Sequence, residues 1–408
     1  LWEHPRSRGA CGVMTPFGLA SRNSQGPPAH RRQVVLPALG LVALAAGFLL
    51  ALGFISSTVG GGAALVGAMA AVLPALPVVA VFLWVDRWEP EPPRLLLAAF
   101  LWGAGISVLG AATVNDSATE FGDQVLGTGS GDLVGAVISA PVIEEALKGT
   151  FLVGLLWLRR REFDGVVDGI VYAGLVATGF AFTENVLYFG RAFAVGGLVG
   201  DGNGVAIVFL MRGVLAPFAH PVFTAMTGIA VGLAVRRRHQ ARRMLLPFLG
   251  YLAAVGLHSL WNASAGFGFL PTFYGMIMMP LFGGLIALVL WQRRREQRVI
   301  AAALPGFSSA GLIAPSEVPL LASQAGRRGW SAAVGRQAGQ TAADAVRDYQ
   351  HAVTELAFSQ DRMRPGEVGA DTGRWHHEAL DALLAARRRA QRAANYPLSE
   401  AAHADRRE

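Results

Sequence analysis

Two adjacent glutamates and a lysine lie inside an apolar stretch that is long enough to cross a bilayer. Glu144 and Glu145 precede Lys148, the one lysine of the chain, by four and three residues, within an apolar run from about 133 to 158. Side chains three and four residues apart share a helix face, so the three groups can meet. Each such charge at the bilayer centre costs roughly 2.5–3.5 kcal/mol on insertion scales. Residues this costly indicate a functional site.

Three further apolar stretches carry polar side chains at a similar depth. They are Glu184 and Asn185 in one stretch, His220 in the next, and His258 and Asn262 in the third. At 1.5 Å per residue from the predicted span ends, Glu144 lies ~15 Å, Glu184 ~9 Å and His258 ~10 Å below the outer surface. Counted up from the opposite surface, His220 falls ~9 Å below the outer one. We therefore expect one shared site in the outer half of the membrane.

This set of side chains suits hydrolysis of a peptide bond. The reaction needs a base that activates water, an acid for the leaving amine and donors for the oxyanion. Either glutamate of the pair can act as the base, with Lys148 adjusting the charge. The histidines, or Asn185 and Asn262, can hold the oxyanion.

Zinc is the alternative that the same residues leave open. Catalytic zinc uses three N or O ligands and a water molecule, and Glu184, His220 and His258 could supply them. The sequence has no HExxH motif, so these ligands would have to come from separate helices.

Composition and charge place the whole chain in the class of polytopic membrane proteins. Of its 408 residues, 53% are hydrophobic and only 15% are charged. The net charge of +7 comes from arginines at the ends of apolar stretches, which is typical of membrane topology rather than of nucleic-acid binding. The single cysteine, Cys11, excludes an internal disulfide and a cysteine-based zinc site.

Apolar length predicts an all-α bundle of about eight transmembrane helices with a polar interior site. The predicted spans are 34–56, 62–85, 95–114, 134–158, 166–190, 205–234, 244–265 and 269–292. The sixth is too long for one bilayer thickness and must tilt, break or protrude. Arginine clusters follow the fourth, sixth and eighth spans, whereas loops 115–133 and 266–268 have no Lys or Arg. The positive-inside rule then places both termini in the cytoplasm of a multi-pass cell-membrane protein.

The two ends of the chain are predicted to lie outside this bundle. Residues 1–33 have the composition of a disordered cytoplasmic leader, and 299–408 that of a cytoplasmic tail. We expect the tail to be largely helical or disordered and only weakly structured, with two amphipathic helices near 340–359 and 375–394. The alternative is a tail that binds a protein partner or lipid.

The order of these motifs resembles the PrsW family of bacterial intramembrane proteases. The resemblance rests on Glu144-Glu145-x-x-Lys148, Phe180-x-x-x-Glu184-Asn185, His220 and His258-x-x-x-Asn262, in that order on four predicted helices. Asp86-Arg87-Trp88-Glu89-Pro90-Glu91-Pro92 and Asp164-Gly165-x-x-Asp168-Gly169 are also similar to family patterns. The match covers roughly residues 80–265. The family is related to the prenyl-protein (CAAX) and bacteriocin-processing membrane proteases.

The resemblance implies cleavage of a membrane-anchored protein, in the best-known case an anti-sigma factor, near the extracytoplasmic face. Carried over by position, Glu144 and Glu145 would activate water, and Glu184 and His220 would complete the site. His258 with Asn262 would bind water, metal or oxyanion. The family name implies a metalloprotease, whereas the related enzymes have been argued to be metal-independent glutamate proteases, and both remain open here.

Two other functions fit the same residues. Glu, His and Lys inside a membrane can form the relay of a proton-coupled transporter; inverted repeats would favour it, but the Glu-Glu pair is not duplicated. A membrane scaffold with a degenerate site would bind a protein without cutting it. The lipid bilayer and a protein partner are expected in every case, and nucleic acid in none.

Overall fold

In a computed structural model all the regular secondary structure of the residues that the structure describes is helical. These are residues 28–87, 90–159, 163, 165–200, 204–235, 239–363 and 372–394. In chain order the membrane helices are α1 (Pro28–Val59), α2 (Gly61–Val85), α3 (Pro93–Leu126), α4 (131–158), α5 (Val166–Gly196), α6 (205–215), α7 (Ala219–Val235), α8 (Gln240–Gly266) and α9 (Leu270–Ser309). They are followed by α10 (Gln324–Ala338), α11 (Gln340–Arg362) and α12 (Thr372–Ala394). The chain divides into two compact units, Leu1–Gly40 and Leu41–Glu408, so the boundary falls inside α1 and helices α2 to α12 lie in the second unit.

Within the described residues, seven apolar helical stretches are long enough to cross a membrane. They are α1, α2, α3, α5, the broken pair α6 and α7, α8 and α9. The eighth predicted span is α4, which is helical from Gly131 to Leu158. It falls outside the apolar set because Glu144, Glu145 and Lys148 interrupt its apolar run. The prediction of an all-α membrane protein is confirmed.

Loop 115–133 was predicted wrongly, because α3 continues to Leu126. Its residues after 114 are polar but contain no proline, so the helix extends beyond the apolar run. Asp123 then shapes the turn into α4 by accepting hydrogen bonds from the backbone N–H groups of Gly129 (2.8 Å) and Gly131 (2.9 Å). Gly129 has φ of +94°, a conformation that favours glycine.

Helix α5 is the centre of the bundle. Of its most apolar stretch, 72% is buried inside the protein, against 17–44% for the other six apolar helices. Small residues make this possible: a Cβ on Gly179 would collide with the carbonyl group of Phe100 in α3, and one on Gly169 with that of Gly228 in α7. These contacts bring the backbones of three helices close together. A glutamate on α5 is therefore held inside the bundle.

The sixth predicted span is broken, which is one of the three outcomes that its length predicted. Helix α6 ends in a π-helical turn at Leu215, residues 216–218 leave the helix, and α7 starts at Ala219. His220 is thus the second residue of a new helix. Breaks inside membrane helices are tolerated where the backbone is buried or lines a cavity.

The described part of the tail is helical, which is one of the two predicted alternatives, and it also has a packed core that was not predicted. Helices α10, α11 and α12 pack with the end of α9 around a cluster that includes Trp330, Tyr349 and Leu383. The Tyr349 hydroxyl donates to Glu317 at 2.7 Å inside this cluster. The two predicted tail helices correspond to α11 and α12. Residues 1–27 of the predicted leader lie outside the described residues.

Candidate active site

Five helices bring ionisable side chains to one place in the bundle. Helix α4 carries Glu144, Glu145 and Lys148; α5 carries Glu184 and Asn185; α6 carries Arg212; α7 carries His220 and Thr224; and α8 carries His258. All five residues predicted to be catalytic, with Lys148, belong to one continuous network of hydrogen bonds and ion pairs. Helical spacing explains the local part of it, since Lys148 follows the glutamates by three and four residues. Packing of α4 against α7 and α8 supplies the rest.

Glu145 is held from three directions. Its Oε1 receives hydrogen bonds from Lys148 Nζ (2.9 Å) and lies 3.2 Å from His258 Nδ1, and its Oε2 accepts from the Thr224 hydroxyl (2.8 Å). The side chain is 0% exposed. A buried carboxylate needs such donors to remain ionised. Glu145 is therefore an anchored anion that orients its three partners.

Glu144 has looser contacts. Its Oε2 lies 3.4 Å from Lys148 Nζ and 3.9 Å from His258 Nε2, and its side chain is 9% exposed. A 3.9 Å separation is too long for a hydrogen bond. Of the two adjacent carboxylates, Glu144 is the one that can still bind water or substrate.

Lys148 sits at the middle of the network with no exposed surface. Besides both glutamates, its ammonium group contacts His220 Nδ1 at 3.2 Å and lies 3.9 Å from the ring centroid of Phe180. An ammonium group only donates, so His220 Nδ1 accepts and the proton of the neutral ring is on Nε2. That proton points to Glu184 Oε2 at 2.9 Å.

The second half of the site is built around Glu184. Arg212 Nη2 forms an ion pair with its Oε2, and Arg212 Nε donates to Asn185 Oδ1 at 2.7 Å. The Arg212 side chain is 25% exposed and stacks on the ring of Tyr188 at 3.9 Å. Arg212 is therefore an accessible cation in the cluster, in contrast to the enclosed Lys148.

Several predicted residues have other partners. Asn262 donates its side-chain N–H to the carbonyl oxygen of Ala136 (2.8 Å), which links α8 to α4. Asn185 accepts a hydrogen bond from Arg212 Nε through its Oδ1. Asp168 accepts from the Gly165 backbone N–H (2.9 Å) and caps α5. Asp164 lies outside the described residues.

Sequence reasoning missed two polar members of the site. Thr224 follows His220 by four residues on α7, and the helical spacing of these two could have indicated it. Arg212 was not among the residues predicted to form the site. Its ion pair with Glu184 depends on where α6 meets α5, which no local spacing predicts.

The residues that could hold a metal differ from the predicted set in one ligand. Glu144, His220 and His258 each offer a ligand atom, and these atoms lie within 4.8 Å of one another. Glu184 instead pairs with His220 and Arg212. Carboxylate and two imidazoles form the donor set of a catalytic zinc, so the residues fit a metal by type. Lys148 would first have to release His220 Nδ1.

Comparisons with known proteins point to a single family. Residues 91–285 match the family described as PrsW family intramembrane metalloprotease. The protein called Protease PrsW from Geobacillus kaustophilus is 29% identical over 266 residues, covering 63% of this chain and 97% of that relative. Its namesake from Oceanobacillus iheyensis is 27% identical over 238 residues, covering 57% and 97%, and that from Bacillus subtilis is 27% identical over 173 residues, covering 42% and 71%. No solved structure matches the chain.

Proposed function

The chain belongs to the PrsW family of intramembrane proteases, and on this basis we propose that it cuts a membrane-anchored protein with water activated by Glu144. The supporting observation is the unequal surroundings of the two adjacent carboxylates. Glu145 is saturated by three donors, whereas Glu144 has only longer contacts, to Lys148 and His258. A general base needs a free oxygen within reach of the water.

The remaining groups have distinct roles in this proposal. Glu144 takes a proton from the water molecule while the water oxygen attacks the scissile carbonyl carbon. Glu144 then gives that proton to the leaving amine. His258, held by Glu145 through Nδ1, directs Nε2 towards Glu144 at 3.9 Å and accepts a hydrogen bond from the water. Arg212, the partly exposed cation, meets the negative charge that develops on the carbonyl oxygen.

Charge balance is consistent with this assignment. Among the described side chains of the cluster, Glu144, Glu145 and Glu184 face the cations Lys148 and Arg212. Three carboxylates and two cations leave one net negative charge among these side chains. Proton transfer from water to Glu144 moves this charge to the attacked carbonyl oxygen without changing the total. In a low dielectric medium a nearby cation such as Arg212 stabilises the charge at that position.

Glu144→Gln tests the proposal. The full chain is reconstituted in proteoliposomes with a single-span anti-sigma factor, the substrate class that the family resemblance implies, in water enriched in ¹⁸O. We expect wild type and Glu120→Gln, a matched change on the exposed face of α3, to release a fragment whose new carboxyl group contains ¹⁸O. Glu144→Gln should bind the substrate and release none. Equal cleavage by Glu144→Gln would contradict the proposal, and uncut substrate with wild type would favour a scaffold or transporter.

The alternative form of this proposal has Glu144, His220 and His258 hold a divalent metal, as the family name implies, with Glu144 as a ligand instead of the free base. When bound, such a metal supplies a Lewis acid and an activated water molecule. A metal bound through His220 Nδ1 would displace Lys148 from that atom, and the contact of Lys148 with Glu145, 2.9 Å here, would still hold the ammonium group. We expect about one equivalent of zinc in purified wild type and far less in His258→Ala, measured by elemental analysis. Full cleavage by metal-free protein would contradict this part and leave Glu144 as the sole activator.

A further inference from the structure

A cleft outside the membrane site is formed where the tail meets the turn between α2 and α3. It has a volume of about 650 Å³ and is lined by Arg87 and Pro90 of that turn and by residues of α10, α11 and α12. The side-chain N–H of Gln324 donates to the carbonyl oxygen of Arg87 at 3.2 Å. The cleft is therefore built from two separate parts of the fold.

Positive charge dominates the lining of this cleft. It contains Arg87, Arg327, Arg328, Arg347 and Arg389, against two carboxylates, Asp348 and Glu355. Glu355 lies 3.7 Å from His351, and Arg347 pairs with Asp344. Arg87, Arg328 and Arg389 form no ion pair with any residue that the structure describes. Three arginines from three elements thus line one cavity with no carboxylate of the described residues within ion-pair distance of their guanidinium groups.

Arg327 is a buried cation among the residues that line the cleft. Its side chain is 6% exposed in the folded protein, and its guanidinium donates to Leu321 O (2.9 Å), Thr354 Oγ1 (2.6 Å) and Gln350 O (3.3 Å). Burial lowers the pKa of Arg327 to about 10, so the group stays protonated at neutral pH. Holding a buried charge is costly unless its donors are satisfied. The tail thus holds a buried positive charge, with hydrogen bonds to three acceptors, in a residue that lines the cleft.

We infer that this cleft binds a phosphate-bearing anion, either the headgroup of an anionic phospholipid or a soluble phosphate compound. Its volume is in the range of small-molecule pockets, roughly 300–1,000 Å³. Planar guanidinium groups match phosphate oxygens in pairs, which makes arginine the residue best suited to this ligand. Two or three phosphate oxygens could bridge Arg87 on the turn with Arg328 and Arg389 on the tail.

Such a ligand would act on a turn that is tied to the core of the membrane domain. In that turn Asp86 Oδ2 accepts from the Glu91 backbone N–H (3.0 Å), and Glu91 Oε2 accepts from the Tyr172 hydroxyl (2.8 Å). Tyr172 belongs to α5, the helix that carries Glu184. Binding would therefore fasten the tail to the turn and stabilise both. The inference does not depend on the proposed proteolysis.

The soluble source is tested with inorganic pyrophosphate and ATP on the full chain in neutral phosphatidylcholine nanodiscs. Arg389→Gln removes a lining charge, and Arg388→Gln removes an exposed charge from the neighbouring position of α12 that does not line the cleft. We expect either probe to raise the unfolding temperature of wild type and Arg388→Gln. Arg389→Gln should bind at least about tenfold more weakly, as expected for the loss of one charge-assisted contact.

The lipid source is tested in nanodiscs that contain phosphatidylglycerol. If the ligand is a headgroup, phosphatidylglycerol will raise the unfolding temperature of wild type and Arg388→Gln but not of Arg389→Gln, and pyrophosphate will have little further effect. Equal unfolding temperatures of the three proteins in neutral nanodiscs without probe would show that Arg389→Gln folds normally. No stabilisation by any of the three probes, or equal loss in both variants, would overturn the inference.

Discussion

Two identical side chains that are adjacent in the sequence acquire different chemistry from their neighbours. Glu145 points between α4, α7 and α8, where Lys148, Thr224 and His258 satisfy it. The Glu144 side chain is rotated by about 100° from that of Glu145 around the helix axis. Its polar contacts with described residues, to Lys148 and His258, are 3.4 Å and 3.9 Å long. The same residue type is thus an orienting anion at one position and a reactive group at the next.

Thr224→Val should lower the cleavage rate while the fold persists. The change removes the hydroxyl that donates to Glu145 Oε2 at 2.8 Å. A hydrogen bond to a charged group contributes about 1.5–3 kcal/mol, so Glu145 should shift and His258 should lose its alignment with Glu144. We expect the rate constant for cleavage to fall about tenfold or more, measured in single-turnover assays on reconstituted protein.

Thr227→Val is the matched control, since Thr227 is buried one turn further along α7. Its hydroxyl makes no hydrogen bond with any described residue. Removing an unsatisfied hydroxyl is neutral or stabilising, so cleavage should be unchanged. If both variants lose activity equally, the effect comes from packing of α7, and the orienting role of Thr224 is wrong.

For individual residues, the sequence predicted which side chains meet but not which role each of them has in the site. Charges at membrane depth are costly, so Glu144, Glu145, Glu184, His220 and His258 had to converge. The distinction between the two glutamates depends on Thr224, which belongs to another helix. Glu144 takes the place of Glu184 among the candidate metal ligands because Glu184 pairs with Arg212, which also belongs to another helix.

At the scale of elements, apolar length predicted the membrane helices well. Helix α2 runs from Gly61 to Val85 against a prediction of 62–85, and α8 from Gln240 to Gly266 against 244–265. Bilayer thickness and the need to satisfy every backbone hydrogen bond leave few alternatives. The extension of α3 to Leu126 was missed because polar residues can continue a helix beyond the apolar run.

Gly179→Ala should destabilise the bundle at the point where α5 crosses α3. A Cβ at this position would collide with the carbonyl group of Phe100, so the helices must separate. Overpacking of this kind costs about 1–3 kcal/mol. Because Glu184 is five residues further along α5, we expect both a lower unfolding temperature and weaker cleavage in detergent or nanodiscs.

Gly256→Ala is the corresponding control on α8, where an added Cβ has no neighbour within 4 Å. Alanine is favoured over glycine in a helix by about 1 kcal/mol, so this variant should be as stable as wild type or more so. An unfolding temperature for Gly179→Ala equal to that of Gly256→Ala would mean that α5 and α3 are not in close contact.

On the scale of the whole molecule, the tail is where sequence and structure diverge most. Amphipathic patterns predicted α11 and α12, but α10 was missed because its sequence contains three glycines and few large apolar residues. Its Trp330 is buried against Tyr349 at a ring distance of 6.0 Å. When each helix is only weakly apolar, its own sequence does not indicate a core. The core of the tail forms from the few apolar residues that each helix contributes. Orientation in the membrane, by contrast, is a property that sequence can predict.

We expect both ends of the membrane domain to face the cytoplasm. Eight membrane-crossing helices return the chain to the side from which it starts, and Arg242, Arg243 and Arg293 lie at the ends predicted to face that side. Cys11 is the single cysteine of the chain, so Cys11→Ser gives a clean background for introduced cysteines. Thr128→Cys, in the exposed turn between α3 and α4, should react with a membrane-impermeant maleimide in intact spheroplasts. Ala332→Cys, exposed on α10, should react only after lysis, and its labelling in intact spheroplasts would contradict the predicted orientation.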